Sequence, residues 1–207
     1  NDPFRFLISL ETLNLNYNPI KLIEPNFSFN NLTRLMTIQI KNNQLNNINF
    51  LNKTSNSLQI LSISEGYLSN LINFNLPSLT SLHLNKHNFT KLDKYQFENL
   101  INLKELTMNK NQIMRLENMT FYGLNNLRFL SIADNKIEFI EPDIFETTNK
   151  LETLFLDRNK LNSIKFGFLR RLKSLKLLSL TENIIENIET NSLVGLNNLT
   201  TLIFSRN

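Results

Sequence analysis

The feature of this sequence that most restricts its fold is an apolar pattern that repeats every 24 residues. Leucine begins the pattern at positions 103, 127, 151, 175 and 199. Within the segment LRFLSIADNKIEFI, from Leu127 to Ile140, the apolar spacing fits neither the 3.6-residue period of an amphipathic helix nor the two-residue period of a half-buried strand. A constant period of this length predicts an array of small repeated units.

The same pattern continues upstream with less regular spacing. Earlier copies start at Leu10, Leu35, Leu58 and Leu79, at intervals of 25, 23, 21 and 24 residues up to Leu103. This gives about nine repeats in one array over residues 1–207, with irregular repeats at 10–102 and strict repeats at 103–207. Residues 1–9 match the tail of a preceding repeat.

Each repeat carries L-x-x-L-x-L-x-x-N-x-L, which predicts a short strand, a turn and a return arc. We expect Leu130 and Ile132 to face inward and Ser131 to face outward, because successive side chains of a strand alternate. After Asn135 the chain turns, and Ile137 is expected to enter the same core from the return side. One unit cannot bury its apolar face alone, so neighbouring units stack.

The ninth position of the pattern is asparagine in seven of the nine repeats. An amide there has donors and an acceptor for turn backbone groups that would otherwise be buried without partners. We therefore predict a structural asparagine ladder formed by Asn18, Asn43, Asn111, Asn135, Asn159, Asn183 and Asn207. Gly66 and His87 occupy this position in the other two repeats, and we expect a weaker ladder there.

The return arcs repeat as well. Phe97, Phe121 and Phe145 each lie eight residues after the last apolar residue of the strand side, and Leu169 and Leu193 take this place in the last two arcs. We predict that the phenylalanines stack into an aromatic spine on the convex side. A cofactor-binding aromatic cluster is the competing interpretation, and no cofactor is predicted.

These residues resemble the leucine-rich repeat superfamily, in its typical 24-residue class, where F-x-x-L-x-x-L precedes L-x-x-L-x-L-x-x-N. The resemblance covers essentially the whole chain. The class is similar to the extracellular arrays of Toll-family receptors and of arthropod leucine-rich immune or adhesion proteins. It implies an α/β-type solenoid: a horseshoe with a parallel β-sheet on its concave face and irregular or short helical convex arcs. It also implies a location in the secretory pathway, outside the cell or at its surface.

One departure from the extracellular members concerns the ends of the array. Those members normally close both ends with cysteine-bonded caps, whereas this chain has no cysteine. The segment FRFLISL, from Phe4 to Leu10, already matches the tail of a repeat, and Asn207 is a ladder asparagine without its return arc. We therefore expect the chain to be an internal fragment of a longer array, so the missing cysteines and targeting segment carry no information about compartment.

Side chains that point outward between the core leucines form the surface most available to a partner. In four consecutive repeats we expect Phe129, Phe155, Leu177 and Ile203 to share one face and bind a partner. Alternatively, these side chains only pack on one another. At the eighth position the charge alternates in sign through Lys110, Asp134, Arg158, Glu182 and Arg206. Arg158 and Arg206 are the candidates for a polar rim that orients the partner, and a weak surface ion-pair ladder is the alternative.

Composition argues against several other functions. The net charge of +4 is spread among interspersed charges of both signs, without a polybasic block for nucleic acid or a membrane surface. The longest apolar runs are too short to span a bilayer. With two histidines, no cysteine and no glycine-rich phosphate loop, the sequence indicates neither a catalytic centre nor a metal site. We therefore predict that the protein is not an enzyme.

N-glycosylation sequons are the remaining motif. They occur at Asn26, Asn31, Asn52, Asn88, Asn118 and Asn198. With 36 asparagines and 30 serines and threonines, chance alone gives roughly five such sites. The sequons are therefore compatible with a glycoprotein without being evidence of secretion.

The sequence thus predicts a noncatalytic recognition module of an extracellular receptor or a secreted immune or adhesion protein. Its partner would be a protein ligand or co-receptor on the concave face, or a glycan or lipid-bearing ligand. The alternative is a structural or scaffold protein, inside or outside the cell, that forms homodimers or heterodimers. Nucleic acid is disfavoured because Asp134, Asp157 and Glu182 lie among the concave cations.

Overall fold

The computed structural model describes residues 3–24, 29–54, 56–71 and 75–207. Over this part of the chain, short strands alternate with irregular arcs, and two short 3-10 helices cover Phe29–Asn31 and Asn49–Lys53. The strands are β1 (Thr12–Asn14), β2 (Thr37–Lys41), β3 (Ile60–Ser64), β4 (Ser81–His83), β5 (Glu105–Thr107), β6 (Arg115–Leu116), β7 (Phe129–Ser131), β8 (Phe139–Ile140), β9 (Thr153–Phe155), β10 (Ser163–Ile164), β11 (Leu177–Ser179), β12 (Asn187–Ile188) and β13 (Thr201–Ile203).

Nine of these strands form one parallel sheet. Their order is β1-β2-β3-β4-β5-β7-β9-β11-β13, so each repeat contributes one strand in chain order. Glu105 pairs with Phe129, Phe129 with Thr153 and Thr153 with Leu177, which is the 24-residue period seen in space. Parallel neighbours require a crossover, and the return arc of each repeat supplies it. The parallel-sheet solenoid predicted from the sequence is confirmed.

The return side of the array carries two shorter sheets. Strand β6 pairs with β8, and β10 pairs with β12. Among the described residues, β8 and β10 belong to different sheets. Strand pairing on the return side is therefore interrupted between these two repeats, whereas the concave sheet is continuous there.

The core is a continuous row of leucine and isoleucine side chains closed on the convex side by phenylalanine. Leu106, Leu130 and Leu154, at the same repeat position, are fully buried. On the arcs the Phe97 and Phe121 ring centroids are 6.4 Å apart, and those of Phe121 and Phe145 are 5.7 Å apart with nearly parallel planes. These rings form the stacked aromatic row that the spacing predicts.

A second aromatic stack closes the first repeats. The ring centroids of Phe4 and Phe29 are 5.6 Å apart, and those of Phe29 and Phe50 are 5.5 Å apart. The sequence analysis did not predict this stack, because the irregular repeats do not place these phenylalanines at a constant offset.

The ladder asparagines tie each turn to the preceding repeat. Asn135 donates through Nδ2 to the carbonyl oxygens of Met108, Ile132 and Ala133, at 3.0, 3.2 and 3.2 Å. Its Oδ1 accepts from the backbone N–H of Ile113 at 3.0 Å. Side-chain bonds of this kind recur at Asn43, Asn111, Asn159, Asn183 and Asn207. Asn18, in the first repeat, donates to Leu15 and Asn16 within its own turn.

His87 replaces a ladder asparagine without losing the bond to the preceding repeat. Its Nε2 lies 2.9 Å from the carbonyl oxygen of Ile63, the repeat position that Met108 occupies for Asn135. A carbonyl can only accept, so the ring proton is on Nε2. Gly66 makes room for the ring, because a Cβ there would lie 2.9 Å from His87 Cε1. The ring keeps only this one of the ladder bonds, and its Nδ1 is buried without a hydrogen-bond partner among the described residues.

The residue before each ladder position has a left-handed backbone. Its φ lies between 49 and 59° in all nine repeats, at Tyr17, Asn42, Glu65, Lys86, Lys110, Asp134, Arg158, Glu182 and Arg206. Such a conformation costs a non-glycine residue on the order of 1–3 kcal/mol unless the surroundings impose it. Where the ninth residue is asparagine, its bonds to the turn stabilise this conformation, which places the eighth side chain at the surface.

Replacing Asn135 by leucine should lower the free energy of unfolding by on the order of 1–3 kcal/mol, because turn donors and acceptors are left unsatisfied. Urea denaturation measures the change. Asn149→Leu is the matched control, because Asn149 is exposed on an arc. Equal stability of the two variants would contradict a ladder role for Asn135.

Acidification should destabilise the protein through His87. Burial lowers the pKa of His87, so the native state favours the neutral ring. The stability from this neutral ring is complete above the unfolded-state pKa of about 6.5 and is lost as pH falls below it, because the unfolded state then binds the proton more readily. Urea denaturation from about pH 7.5 to about pH 5 should show a smaller loss in His87→Asn than in the parent. Parallel pH profiles would rule this out.

Candidate functional site

The candidate binding surface is an apolar patch on the concave sheet, formed by Phe129, Phe155, Leu177 and Ile203. Phe129 begins β7 and Phe155 ends β9, and their ring centroids are 5.7 Å apart with planes tilted by 53°. Both rings are partly buried. They therefore pack on each other and also keep exposed surface.

Strand register explains how the patch continues toward β13. Phe129 and Leu177 both pair with Thr153, whereas Phe155 and Ile203 both flank Ser179. The four apolar residues thus alternate between the two outward positions of successive strands. Leu177 is partly buried and Ile203 is 38% exposed, so the patch is open along its length.

Small polar residues fill the spaces between the apolar ones. Ser131 and Ser179 point outward but are buried, with 6% and 3% of their surface exposed. Ser131 Oγ donates to Asn109 Oδ1 at 2.7 Å, and Ser179 Oγ donates to Asp157 Oδ1. Asp157 also accepts from the backbone N–H of Thr181 at 2.9 Å. These bonds satisfy polar groups that the neighbouring large side chains shield from water.

The two histidines have separate roles. His83 lies at the end of β4, and its Nδ1 is 3.0 Å from Thr107 Oγ1. Asn85 Nδ2 donates to the same hydroxyl at 2.9 Å. His87 points into the core instead. Within the described ranges, no cluster of three or more histidine and acidic side chains could hold a metal ion.

Ion pairs border the patch at the C-terminal ends of its strands, where the turns begin. Arg158 binds Asp134 through two bonds, Nε to Oδ1 at 2.5 Å and Nη2 to Oδ2 at 2.8 Å. The bond from Arg158 holds the pKa of Asp134 below its ordinary value. Arg206 Nη1 lies 3.0 Å from Glu182 Oε1. The alternating charges therefore form pairs between neighbouring repeats, and both arginine side chains remain at least half exposed.

A second charged row borders the opposite edge of the patch, just before the strands. Glu152 accepts from Lys176 Nζ at 2.7 Å and also from Arg128. The Lys176 bond, followed by the Arg128 bond, lowers the pKa of Glu152. The sequence analysis missed this row, although charged residues recur at the second position of four consecutive repeats, as Lys104, Arg128, Glu152 and Lys176.

The sequons that the structure describes lie away from the concave strands. Asn31, Asn88 and Asn198 are exposed, and Asn198 Nδ2 donates to the carbonyl oxygen of Lys173 at 2.7 Å. Asn118 is half-buried, and the hydroxyl-bearing Thr120 of its sequon is fully buried. Asn26 and the side chain of Asn52 lie outside the described residues.

Comparison with known families identifies the class. The leucine rich repeat model matches residues 77–137, 127–173 and 149–207, which together span more than half of the chain. The protein belongs to the leucine-rich repeat family, whose members are in general protein-interaction modules. No curated protein matches the sequence.

Solved structures give the same result for nearly the full chain. Internalin C2 from Listeria monocytogenes is 26% identical with a TM-score of 0.74, covering 96% of this chain and 82% of its own. A leucine-rich repeat protein of Leptospira interrogans is 28% identical with a TM-score of 0.85, covering 100% and 52%. TLR13, solved as a complex with ssRNA13, is 25% identical with a TM-score of 0.75, covering 99% and 34%. This chain thus spans about half of the Leptospira protein and a third of TLR13.

Of the helices in the part of the chain that the structure describes, none has the length and apolar character needed to cross a membrane.

Proposed function

We propose that this array is a noncatalytic recognition module that binds a protein partner through the apolar patch on its concave face. The observation that carries the proposal is the partly exposed row of Phe129, Phe155, Leu177 and Ile203 across four adjacent strands. Interface cores are enriched in aromatic side chains, and a few such residues supply most of the binding energy. The phenylalanine pair would be the centre of the interface.

The charged rows indicate the chemistry of the partner. The row before the strands contains Lys104, Arg128 and Lys176 against one acid, Glu152. The row after them contains Lys110, Arg158 and Arg206 against Asp134 and Glu182. The row before the strands therefore has an excess of positive charge, whereas the row after them is balanced once Asp157, beside Arg158, is counted. A partner with an apolar centre and acidic groups facing the first row would fit, and Arg158 and Arg206 would orient it.

An extracellular receptor or a secreted immune or adhesion protein is the setting that we propose for this module. Its support is the resemblance to the typical repeat class and the likeness to TLR13 and internalin C2. We also propose that residues 1–207 form a single array without an internal domain boundary. Because TLR13 was solved as a complex with ssRNA13, nucleic acid is a competing candidate ligand for this array. Steep salt dependence of binding would reveal it.

The double variant Phe129→Ser/Phe155→Ser should abolish binding to the partner without unfolding the array, because it removes the centre of the patch. The partner is first identified by biolayer interferometry, in a screen of purified secreted and cell-surface ectodomains from the source organism. We expect affinity to fall at least about 100-fold, since hot-spot residues contribute 2 kcal/mol or more each. Phe166→Ser is the matched control, because Phe166 is exposed on the return side at 52%. Full affinity in the double variant would refute the site.

A further inference from the structure

A cavity separate from the apolar patch lies at the turns of the first three repeats. Its volume is about 440 Å³, within the range of small-molecule sites. Residues at the eighth to tenth repeat positions form its walls, among them Tyr17, Asn42, Gln44, Glu65, Gly66 and Tyr67. These repeats precede β4, whereas the apolar patch begins at β7.

Two exposed tyrosines form the aromatic part of the cavity wall. Tyr17 is 65% exposed and Tyr67 is 63% exposed. They belong to the first and third repeats, whose strands lie roughly 10 Å apart. The left-handed turn holds Tyr17 at the surface, with a φ of 59°. The cavity therefore presents aromatic surface from two repeats to whatever enters it.

Two exposed side-chain amides in the same wall are not engaged by other residues of the described chain. Among the residues that the structure describes, the side chains of Asn42 and Gln44 form no hydrogen bond. In later repeats the side chains at the position of Gln44 bond to one another: Gln112 donates to Asn88 at 3.3 Å, and Lys136 donates to Gln112 at 3.2 Å. Each free amide offers two donors and one acceptor group to a ligand.

The charge of the cavity restricts the ligand further. Glu65 Oε1 lies 2.5 Å from Lys86 Nζ and 3.7 Å from Lys41 Nζ. The Lys86 bond lowers the pKa of Glu65, so the carboxylate is ionised, and the neighbouring lysines compensate its negative charge. Lys41 Nζ also lies 5.3 Å from the centroid of the Tyr17 ring. Two cations against one anion disfavour a cationic ligand between the tyrosines.

A purely apolar ligand fits poorly as well, because it would remove water from the Asn42 and Gln44 amides without replacing their hydrogen bonds. The walls fit an uncharged ligand with one apolar face and many hydroxyl groups. A pyranose ring has both: its C–H face can lie on an aromatic ring, and its hydroxyls can donate to and accept from amides and a carboxylate.

We propose that this cavity is a carbohydrate subsite that binds the pyranose units of a neutral glycan, with Tyr17 and Tyr67 as stacking surfaces and Asn42, Gln44 and Glu65 as hydrogen-bonding groups. The site is independent of the concave patch and of the protein partner proposed for it.

The test uses the 207-residue chain produced in bacteria, so that it carries no glycan of its own. Chitotriose, mannotriose, cellotriose and galactobiose are titrated to about 10 mM and followed by saturation-transfer NMR and by two-dimensional NMR of the protein. At least one sugar should bind with a millimolar or lower dissociation constant. Tyr67→Ala and Gln44→Ala should each weaken it at least tenfold, and Tyr67→Phe should retain it, because the ring is kept.

Tyr122→Ala is the matched control, because Tyr122 is an exposed tyrosine on a convex arc, in edge contact with Tyr95. It should bind the sugar like the parent, as should the Phe129→Ser/Phe155→Ser variant. Thermal melting shows that each variant is folded. Absence of binding for all four sugars, or equal binding in parent and Tyr67→Ala, would overturn the proposal and leave the concave patch unaffected.

Discussion

The structure depends on the side-chain amide at the ninth position of seven of its nine repeats. The turn there combines a left-handed residue with backbone groups that point away from any strand partner. One amide satisfies carbonyl groups of its own turn and of the repeat before it, as Asn135 does for Ile132 and Met108. The same bonds that close the turn therefore also fix the offset between neighbouring repeats. A constant offset is what aligns equivalent side chains into rows.

Because of these rows, the surface chemistry of the array is a property of neighbouring repeats. Glu152 lies between Arg128 and Lys176, each 24 residues away along the chain. Arg158 meets Asp134 by the same 24-residue translation, and Phe129 meets Phe155 across the same pair of strands, β7 and β9. Stability of such an array is close to a sum of terms within repeats and between neighbours. The apolar patch arises where the large residue alternates between the two outward positions, so that each fills space beside a small one.

The apolar period was sufficient to predict the parallel sheet, its strand register and the stacked phenylalanines of the regular arcs. It could not predict features that depend on which side chains meet across repeats. Ser131 and Ser179 are buried because large neighbours cover them, although alternation alone makes them outward residues. His87 takes an asparagine's place because Gly66, one repeat earlier, leaves room for its ring. The left-handed residue also escapes detection, because none of the nine is glycine and only Asn42 is asparagine.

The unequal pairing of the two sides has a mechanical consequence. Nine hydrogen-bonded strands make the concave side resistant to stretching along the array, whereas on the return side β6–β8 and β10–β12 are separate within the described chain. At the break Phe139 is flanked by Arg115 and Lys165, whose charged groups lie 4.6 and 5.4 Å from its ring centroid. Such contacts are less directional than strand pairing. Changes in curvature are thus accommodated by opening or closing the convex side, while the spacing of the side chains that face inward stays constant.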